Sequence, residues 1–234
     1  RKMNLFFDKK WNNIAVSVSG GADSALLLYL LCKEVTSQTV HIINNVRCWK
    51  TKPWQEHDAE CVITWIRKRF PAINFKLHKN FIAPDIEYGA IGPSIKDEYN
   101  KIVSGDNIQI RAFAEYICFK NNIDAYYNGV TKNPDKNLGG MTERDITPTD
   151  DNKHLLIMEH MEKLAIHPFR FISKDTIIRM YKKENIVELF NITRSCEGTF
   201  DWLDYKNYKK GELVPVCNEC FWCRERDWAV DNAE

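Results

Sequence analysis

The residues with the clearest chemical pattern form a six-residue loop at 19–24, Ser-Gly-Gly-Ala-Asp-Ser. A short β-branched run precedes the loop and a strongly apolar run follows it, which predicts a buried strand, a tight turn and a helix N-terminus. Two adjacent glycines let the backbone approach a bulky anion. The free N–H groups and positive dipole end of the helix favour phosphate there. We therefore expect this loop to bind phosphate.

The side chains of the loop suit the same role. Ser19 and Ser24 can donate hydroxyl groups to phosphate oxygens, and Asp23 can cap the helix or ligate a metal ion. The candidate cofactor-binding set contains Ser17 of the preceding strand and the whole loop, namely Ser19, Gly20, Gly21, Ala22, Asp23 and Ser24. The alternative is an ordinary Gly-Gly turn with a capping Asp or Ser. The loop and both flanks agree with one another, which favours the phosphate site.

A second chemical pattern is a group of cysteines near residue 220. Cys217, Cys220 and Cys223 follow one another at intervals of three, and Cys196 lies upstream. Four thiolates satisfy a tetrahedral zinc ion with no open position. Iron–sulfur proteins also use four thiolates, and reduced, unligated cysteines are a third reading. We favour zinc, because no electron-transfer context is visible, and we expect a structural rather than catalytic centre.

Composition excludes several classes of protein. The chain has 234 residues, 44% of them apolar, and its 33 basic and 32 acidic residues give a net charge of +1. This balance argues against a strong electrostatic grip on nucleic acid or on an anionic membrane. No apolar run reaches the roughly 18 residues of a membrane span, and the first residues show no signal-peptide core. Because the cysteines cluster as a metal site does, we expect a cytoplasmic protein.

The elements that must position these residues alternate along the chain. We predict strands at 14–18, 39–46, 73–81 and 124–130, an extended stretch at 166–171, and helices at 22–35, 54–69, 107–121, 153–163 and 173–184. This alternation predicts an α/β fold with a doubly wound, mostly parallel sheet. Ligands then bind at the carboxyl ends of the strands.

The remaining segments complete the predicted organisation. Residues 83–106 contain several Gly and Pro residues and are interpreted as a loop or a broken helix, and 131–152 as a loop that could close as a lid. We expect an α/β domain over residues 1–190. Residues 191–234 are then a cysteine-bearing segment packed on that domain.

The loop at 19–24 resembles the SGGxDS loop of the PP-loop ATP pyrophosphatases. The loop and the tail together resemble the 7-cyano-7-deazaguanine synthases, because Ser195-Cys196 is followed by the three clustered cysteines and Arg226. The segments at 124–130 and at 167–175 are also similar to stretches of that family. The resemblance implies an adenine nucleotide alpha hydrolase-like fold and a homodimer.

The resemblance implies a specific reaction. In that family ATP activates the carboxylate of 7-carboxy-7-deazaguanine, ammonia converts it to an amide, and a second activation dehydrates the amide to a nitrile. The expected cofactors are therefore ATP, Mg²⁺ and Zn²⁺, and the expected substrates are a small carboxylate and ammonia. Residues of the loop would hold the leaving pyrophosphate, namely Ser19, Gly20, Gly21, Asp23 and Ser24. The catalytic set implied is Ser19, Asp23, Ser24 and Lys174.

Three positions outside the loop take their roles from the same resemblance. Lys174 would add a positive charge at the phosphates, although a solvated lysine at a helix start is an equal alternative. Arg111 could reach the nucleotide, although an arginine that extends along the surface is as common. Gly129 would let the adenine lie against the end of a strand.

The chain departs from the family on the substrate side. Asp106 stands where the family has an arginine, Glu197 stands where it has a tyrosine, and its Tyr-Pro-Asp-Cys segment is not recognisable at 133–137. The acceptor could therefore be a related acid or base. A second hypothesis is a tRNA-modifying PP-loop enzyme that adenylates a base carbonyl. A third is a nucleotide-sensing interaction protein with Trp222 and Trp228 at an interface.

Overall fold

The structure is a computed structural model that describes residues 3–47, 54–82, 94–96, 102–132, 155–158, 163–197 and 215–233. Its strands are β1 (Asn13–Ser17), β2 (Thr39–Arg47), β3 (Phe75–Ile82), β4 (Ser94–Lys96), β5 (Ile102–Ser104), β6 (Ala125–Tyr127), β7 (Leu155–Met158) and β8 (Lys163–Ile166). Its helices are α1 (Ala22–Glu34), α2 (Trp54–Arg69), α3 (Gly105–Lys120), α4 (Lys174–Lys183), α5 (Val187–Ile192) and α6 (Phe221–Asp231).

Six strands form one sheet in the order β3-β2-β1-β6-β8-β7. Neighbours from β3 to β8 are parallel, and β7 is antiparallel at the edge. Val16 of β1 lies opposite Ile42 on one side and Tyr127 on the other. Because the chain order reverses at β1 and β6, a crevice opens at the carboxyl ends of these two strands. The predicted doubly wound, mostly parallel α/β sheet is confirmed.

The two faces of the sheet bury separate apolar clusters. Ile14 and Val16 of β1 face the larger cluster, which helices α1, α2, α4, α5 and α6 cover. Ala15 faces the smaller cluster, which contains Cys118 of α3. Ala229 of α6 belongs to the larger cluster, so the cysteine-bearing segment shares the core of the α/β fold.

Four of the eight cysteines lie outside the group near residue 220. Cys32 and Cys118 are buried as small apolar side chains, while Cys61 is half-buried and Cys48 lies outside the described residues. Burial raises the pKa of the Cys118 thiol to about 12. Such thiols are packing residues rather than nucleophiles.

Some predicted elements are wrong. The helix predicted at 153–163 is replaced by strand β7, which pairs with β8 so that Leu155 lies opposite Ile166. A short apolar run is ambiguous between helix and strand, and the free edge of β8 decides the outcome. The extended stretch predicted at 166–171 is a turn after Ile166, and the strand predicted at 124–130 ends at Tyr127.

The two intervals predicted as loops fall only partly within the described residues. The interval 83–106 contributes an antiparallel pair, β4 with β5, in place of a broken helix. The predicted lid at 131–152 lies outside the described residues, apart from Thr131 and Lys132. Within the described ranges, none of the helices is both long and apolar enough to cross a membrane.

Candidate functional site

The glycine-rich loop joins β1 to α1 at the crevice in the sheet. Gly20 has φ +84°, a left-handed conformation that L side chains rarely adopt. A Cβ atom at this position would stand 2.5 Å from the Cβ of Asp58. Glycine is therefore required both for the backbone conformation and for the close approach of α2.

The first turn of α1 faces the crevice without a side-chain cap. Gly21 is the N-cap residue and has no side chain that could cap the helix. The Ser24 hydroxyl instead fixes the loop, because it donates to the Gly21 carbonyl at 3.1 Å and accepts from the Ser19 N–H at 3.2 Å. The N–H groups of this turn and the positive end of its dipole can therefore serve an anion.

Lys174 is the first residue of α4 and is buried, with 4% of its surface exposed. Its Nζ donates to Oδ2 of Asp23 at 2.5 Å. A cation at a helix N-terminus opposes the helix dipole, so the carboxylate of Asp23 compensates for an otherwise unfavourable position. The alternative that Lys174 is a solvated lysine is wrong. Among the described residues, Oδ1 of Asp23 is buried without a hydrogen-bond partner.

Gly129 follows β6 and lies against the start of α1. A Cβ at Gly129 would stand 3.1 Å from the carbonyl carbon of Asp23 and from the backbone nitrogen of Ser24. The missing side chain therefore lets the end of β6 approach α1 closely. Contact of Gly129 with adenine stays a prediction.

These elements enclose a cleft of about 250 Å³. Its described lining consists of Ser17, Ser19, Gly21, Asp23, Ser24, Gln55, Asp58, Asn128, Gly129, Val130, Lys174, Arg194, Ser195, Cys196, Glu197 and Trp222. Most of the predicted cofactor-binding residues therefore share one cleft. Gly20 and Ala22 belong to the loop but are not in this lining, and Ala22 is fully buried.

Arg111 is not brought to the cleft. It lies on α3, its side chain is 58% exposed, and its Nε donates to Glu115 at 3.1 Å. This helix covers the face of the sheet that holds the smaller apolar cluster. Arg111 therefore extends along the surface, as in the alternative interpretation of this residue.

Asp58 lines the cleft but is not among the residues predicted for the site. It is 5% exposed, and its Oδ1 has no hydrogen-bond partner among the described residues. Burial raises the pKa of Asp58 to about 7, although the charge of Arg194 acts in the opposite direction. The available signal was an acid beside Ala59 and one turn before Val62, on the apolar stripe of α2.

The residues around Cys196 form the wall next to the loop, and this was also missed. The backbone N–H of Arg194 donates to the Gly20 carbonyl at 2.9 Å. Oγ of Ser195 lies 3.4 Å from the point that a Cβ at Gly21 would occupy. Glu197 and Trp222 line the same wall. No local pattern predicts this placement, because the contacts join distant parts of the sequence.

The four clustered cysteines come together as predicted. Their sulfur atoms all lie within 4.8 Å of one another. The separations are 3.4 Å from Cys196 to Cys217, 3.6 Å from Cys220 to Cys223, 3.9 Å from Cys217 to Cys223 and 4.0 Å from Cys196 to Cys220. Sulfur ligands at about 2.3 Å from one tetrahedral ion stand about 3.8 Å apart. The cysteines could therefore hold a single metal ion.

Neither a family model nor a curated protein matches this sequence. The solved structures that resemble it include two at low identity. The U34-tRNA thiolase NcsA from Methanococcus maripaludis, with its [4Fe-4S] cluster, is 15% identical with a TM-score of 0.48, over 95% of this chain and 67% of that one. The phosphoadenylyl-sulfate reductase from Candida auris, in a phosphate complex, is 9% identical with a TM-score of 0.44, over 82% and 83%. Both TM-scores are below 0.5, so neither likeness assigns a ligand or a reaction to this chain.

Proposed function

We propose that this chain is an ATP-dependent enzyme that adenylates a carboxylate and passes the activated acyl group to ammonia. The observation that carries the proposal is the buried Lys174–Asp23 pair beside the uncapped first turn of α1. A buried cation and free N–H groups that converge on a glycine-rich loop suit a polyphosphate.

The reaction balances without a redox partner. A carboxylate oxygen attacks the α-phosphorus of ATP, and the bond from that phosphorus to the pyrophosphate oxygen breaks. Ammonia then attacks the acyl carbon, AMP leaves with the bond electrons, and one proton is released as the amide forms. A second activation, at the amide oxygen, would give the nitrile.

The residues expected to contact the phosphates have different roles. Lys174 and the first-turn N–H groups would neutralise the developing charge on pyrophosphate, and Ser19 would donate its hydroxyl group to a phosphate oxygen. Bound Mg²⁺ would supply further charge neutralisation for the triphosphate. Asp23 and Asp58 fit a role as its ligands, because each has a buried carboxylate oxygen without a partner among the described residues.

The acceptor would bind on the wall formed by Glu197 and Trp222. An indole can stack on a flat heterocycle, and a carboxylate can accept hydrogen bonds from ring N–H groups. These features suit 7-carboxy-7-deazaguanine or a related acid. Zn²⁺ is the ion that we propose for the four cysteines, since the sulfur separations fit one tetrahedral ion.

The test is a product assay. Purified protein is incubated with Mg·ATP, ammonium and 7-carboxy-7-deazaguanine, and mass spectrometry follows AMP, the amide and the nitrile. We expect conversion by the wild-type chain, a loss of about 100-fold or more in Lys174→Met because a charge on the phosphates is removed, and normal turnover in Lys183→Met. Lys183 is an exposed residue at the other end of α4.

The outcomes separate the parts of the proposal. ATP binding without consumption of the acid would overturn the acceptor assignment and direct attention to tRNA or to other carboxylates. Absence of ATP binding would overturn the function itself.

A further inference from the structure

Residues 193–197, here named the linking segment, contact both the phosphate loop and the four-cysteine centre. Arg194, Ser195, Cys196 and Glu197 all line the cleft, and Cys196 is also one of the four clustered cysteines. The segment is therefore part of both the cleft and the cysteine centre.

The contact with the phosphate loop is made at its most constrained point. The Arg194 N–H donates to the carbonyl of Gly20 at 2.9 Å, and Gly20 has no room for a Cβ because that atom would clash with Asp58 of α2. The loop is thus held between α2 and the linking segment. If the linking segment shifts, the Gly20 carbonyl loses its hydrogen bond from Arg194.

The contact with the cysteine centre is equally direct. The N–H of Cys217 donates to Sγ of Cys196 at 3.3 Å, and the N–H of Glu197 donates to Sγ of Cys220 at 3.5 Å. Only one residue separates Cys196 from Arg194. The position of the sulfur therefore restricts the position of the N–H group that holds Gly20.

Helix α6 fixes the other end of the linking segment. Arg226 donates to Oγ1 of Thr193 at 2.8 Å and to the carbonyl of Phe190 at 2.9 Å. Its guanidinium group also stacks 3.9 Å above the ring of Phe190. Cys220 is the N-cap residue of the same helix and Cys223 lies in its first turn, so α6 carries two of the four cysteines and the anchor of the segment.

We propose that metal binding by the four cysteines and ATP binding by the phosphate loop are thermodynamically coupled through the linking segment. The inference rests on the proposed function of the loop. Without a metal ion, only hydrogen bonds such as that from the Cys217 N–H hold Cys196 near the other three sulfurs, and ATP would have to order the segment further as it binds. Linkage then requires that ATP strengthens metal binding by the same factor by which the metal strengthens ATP binding. Arg194 and Arg226 are positioning residues in this scheme.

The experiment compares zinc-loaded and metal-free protein under reducing conditions. Calorimetry measures the Kd for Mg·ATP and for pyrophosphate, and circular dichroism checks that both forms are folded. We expect binding of both ligands to be about tenfold weaker, or more, in the metal-free form. Competition with a chromophoric chelator then measures zinc affinity with and without Mg·ATP, and it should change by the same factor.

The results discriminate clearly. Equal Kd values in folded zinc-loaded and metal-free protein would overturn the coupling and leave the proposed function intact. If zinc-loaded protein fails to bind Mg·ATP, the proposed function falls and the coupling falls with it.

A matched pair of variants covers the case in which metal removal unfolds the chain. Thr193→Val removes the hydroxyl that accepts from Arg226 and that donates to the Phe190 carbonyl. Thr176→Val removes a hydroxyl on α4 that contacts Ser173. We expect Thr193→Val to keep its zinc but to bind Mg·ATP about three- to tenfold more weakly, with Thr176→Val unchanged. Equal Kd values for the two variants would overturn the proposal.

Discussion

Lys174 and Asp23 form a buried ion pair at 2.5 Å that joins the N-terminus of α4 to the first turn of α1. Both residues lie in the first turn of a helix, and the two helices pack on the same face of the sheet. The pair therefore holds together two helix ends that border the cleft.

The first prediction concerns the stability of this pair. Lys174→Met should lower the free energy of unfolding by about 2 kcal/mol, because the carboxylate of Asp23 is left without its partner. Asp23→Asn in the Lys174→Met background should recover most of that loss. Urea unfolding of both single variants and the double variant measures the coupling. Additive effects of the two substitutions would contradict the pairing.

The second prediction is a pH dependence that originates at Asp58. The folded pKa of this carboxyl is raised to about 7, against about 3.9 in the unfolded chain. The unfolded chain therefore ionises first, and this group costs stability as the pH rises from about 4 to 7. Asp58→Asn removes the cost, so the variant should be more stable than the wild type at pH 8, by at most about 4 kcal/mol, and similar to it at pH 4.

Urea unfolding at the two pH values checks the effect of Asp58→Asn. Asp231→Asn is the control, since Asp231 is exposed at the end of α6. A difference between Asp58→Asn and the wild type that is the same at both pH values would show that Asp58 titrates normally.

The third prediction separates the two glycines of the loop. Gly20→Ala should cost about 3 kcal/mol, because it combines a left-handed φ with a clash against Asp58. Gly21→Ala should cost less than about 1 kcal/mol, because φ at Gly21 is −76° and its nearest neighbours are 3.4 Å away. Thermal unfolding of both variants measures the contrast. Similar losses would mean that Gly20 does not hold a left-handed conformation against Asp58 in solution.

The fourth prediction identifies the metal. Purified chain should contain one zinc ion and, after substitution with Co²⁺, should show the absorption of a tetrahedral thiolate site. Cys217→Ser should weaken metal binding on the order of 100-fold or more, while Cys61→Ser should bind normally. Elemental analysis and chelator competition provide the measurements. A brown protein with stoichiometric iron and sulfide would show that the four cysteines hold an iron–sulfur cluster and not zinc.

The fifth prediction concerns the acceptor wall. Trp222→Leu should raise the KM for the acid about tenfold or more, through loss of a stacking surface, and should leave the KM for ATP nearly unchanged. Trp228→Phe is the matched control, because Trp228 packs against the main core rather than the cleft. Steady-state kinetics with each substrate varied in turn checks the prediction. Equal changes in both KM values would place Trp222 outside acceptor recognition.

The sequence predicts the parts of the fold that depend on neighbouring residues. The apolar run of β1, the glycines after it and the apolar start of α1 are local signals, and their order implies both the crevice and the glycine-rich loop at its edge. Cysteines three residues apart likewise predict their own cluster. The helix predicted in place of strand β7 was wrong because four apolar residues suit a helix or a strand, and only the edge of β8 selects between them.

The rest of the cleft depends on contacts between distant elements. Asp58 lies on α2 and Arg194 lies in the linking segment after α5, and each meets Gly20 only because the sheet topology brings these elements together. An acid on an apolar helix stripe was a usable signal for Asp58. Arg194 contacts Gly20 through its backbone N–H, a group that every residue except proline has. The residue type at this position therefore could not predict the contact.

The hydrogen bond from Arg194 to Gly20 has a consequence for how the chain matures during synthesis. Gly20 leaves the ribosome long before Arg194. The nascent loop therefore has its glycines and its helix but lacks the linking segment that contacts it. Closing a loop of this length costs entropy that must be met before the contact contributes to stability. A nascent chain that has already paired β1 with β2 therefore still lacks the wall of the cleft that residues 194–197 form, and that wall is complete only after the segment has been synthesised.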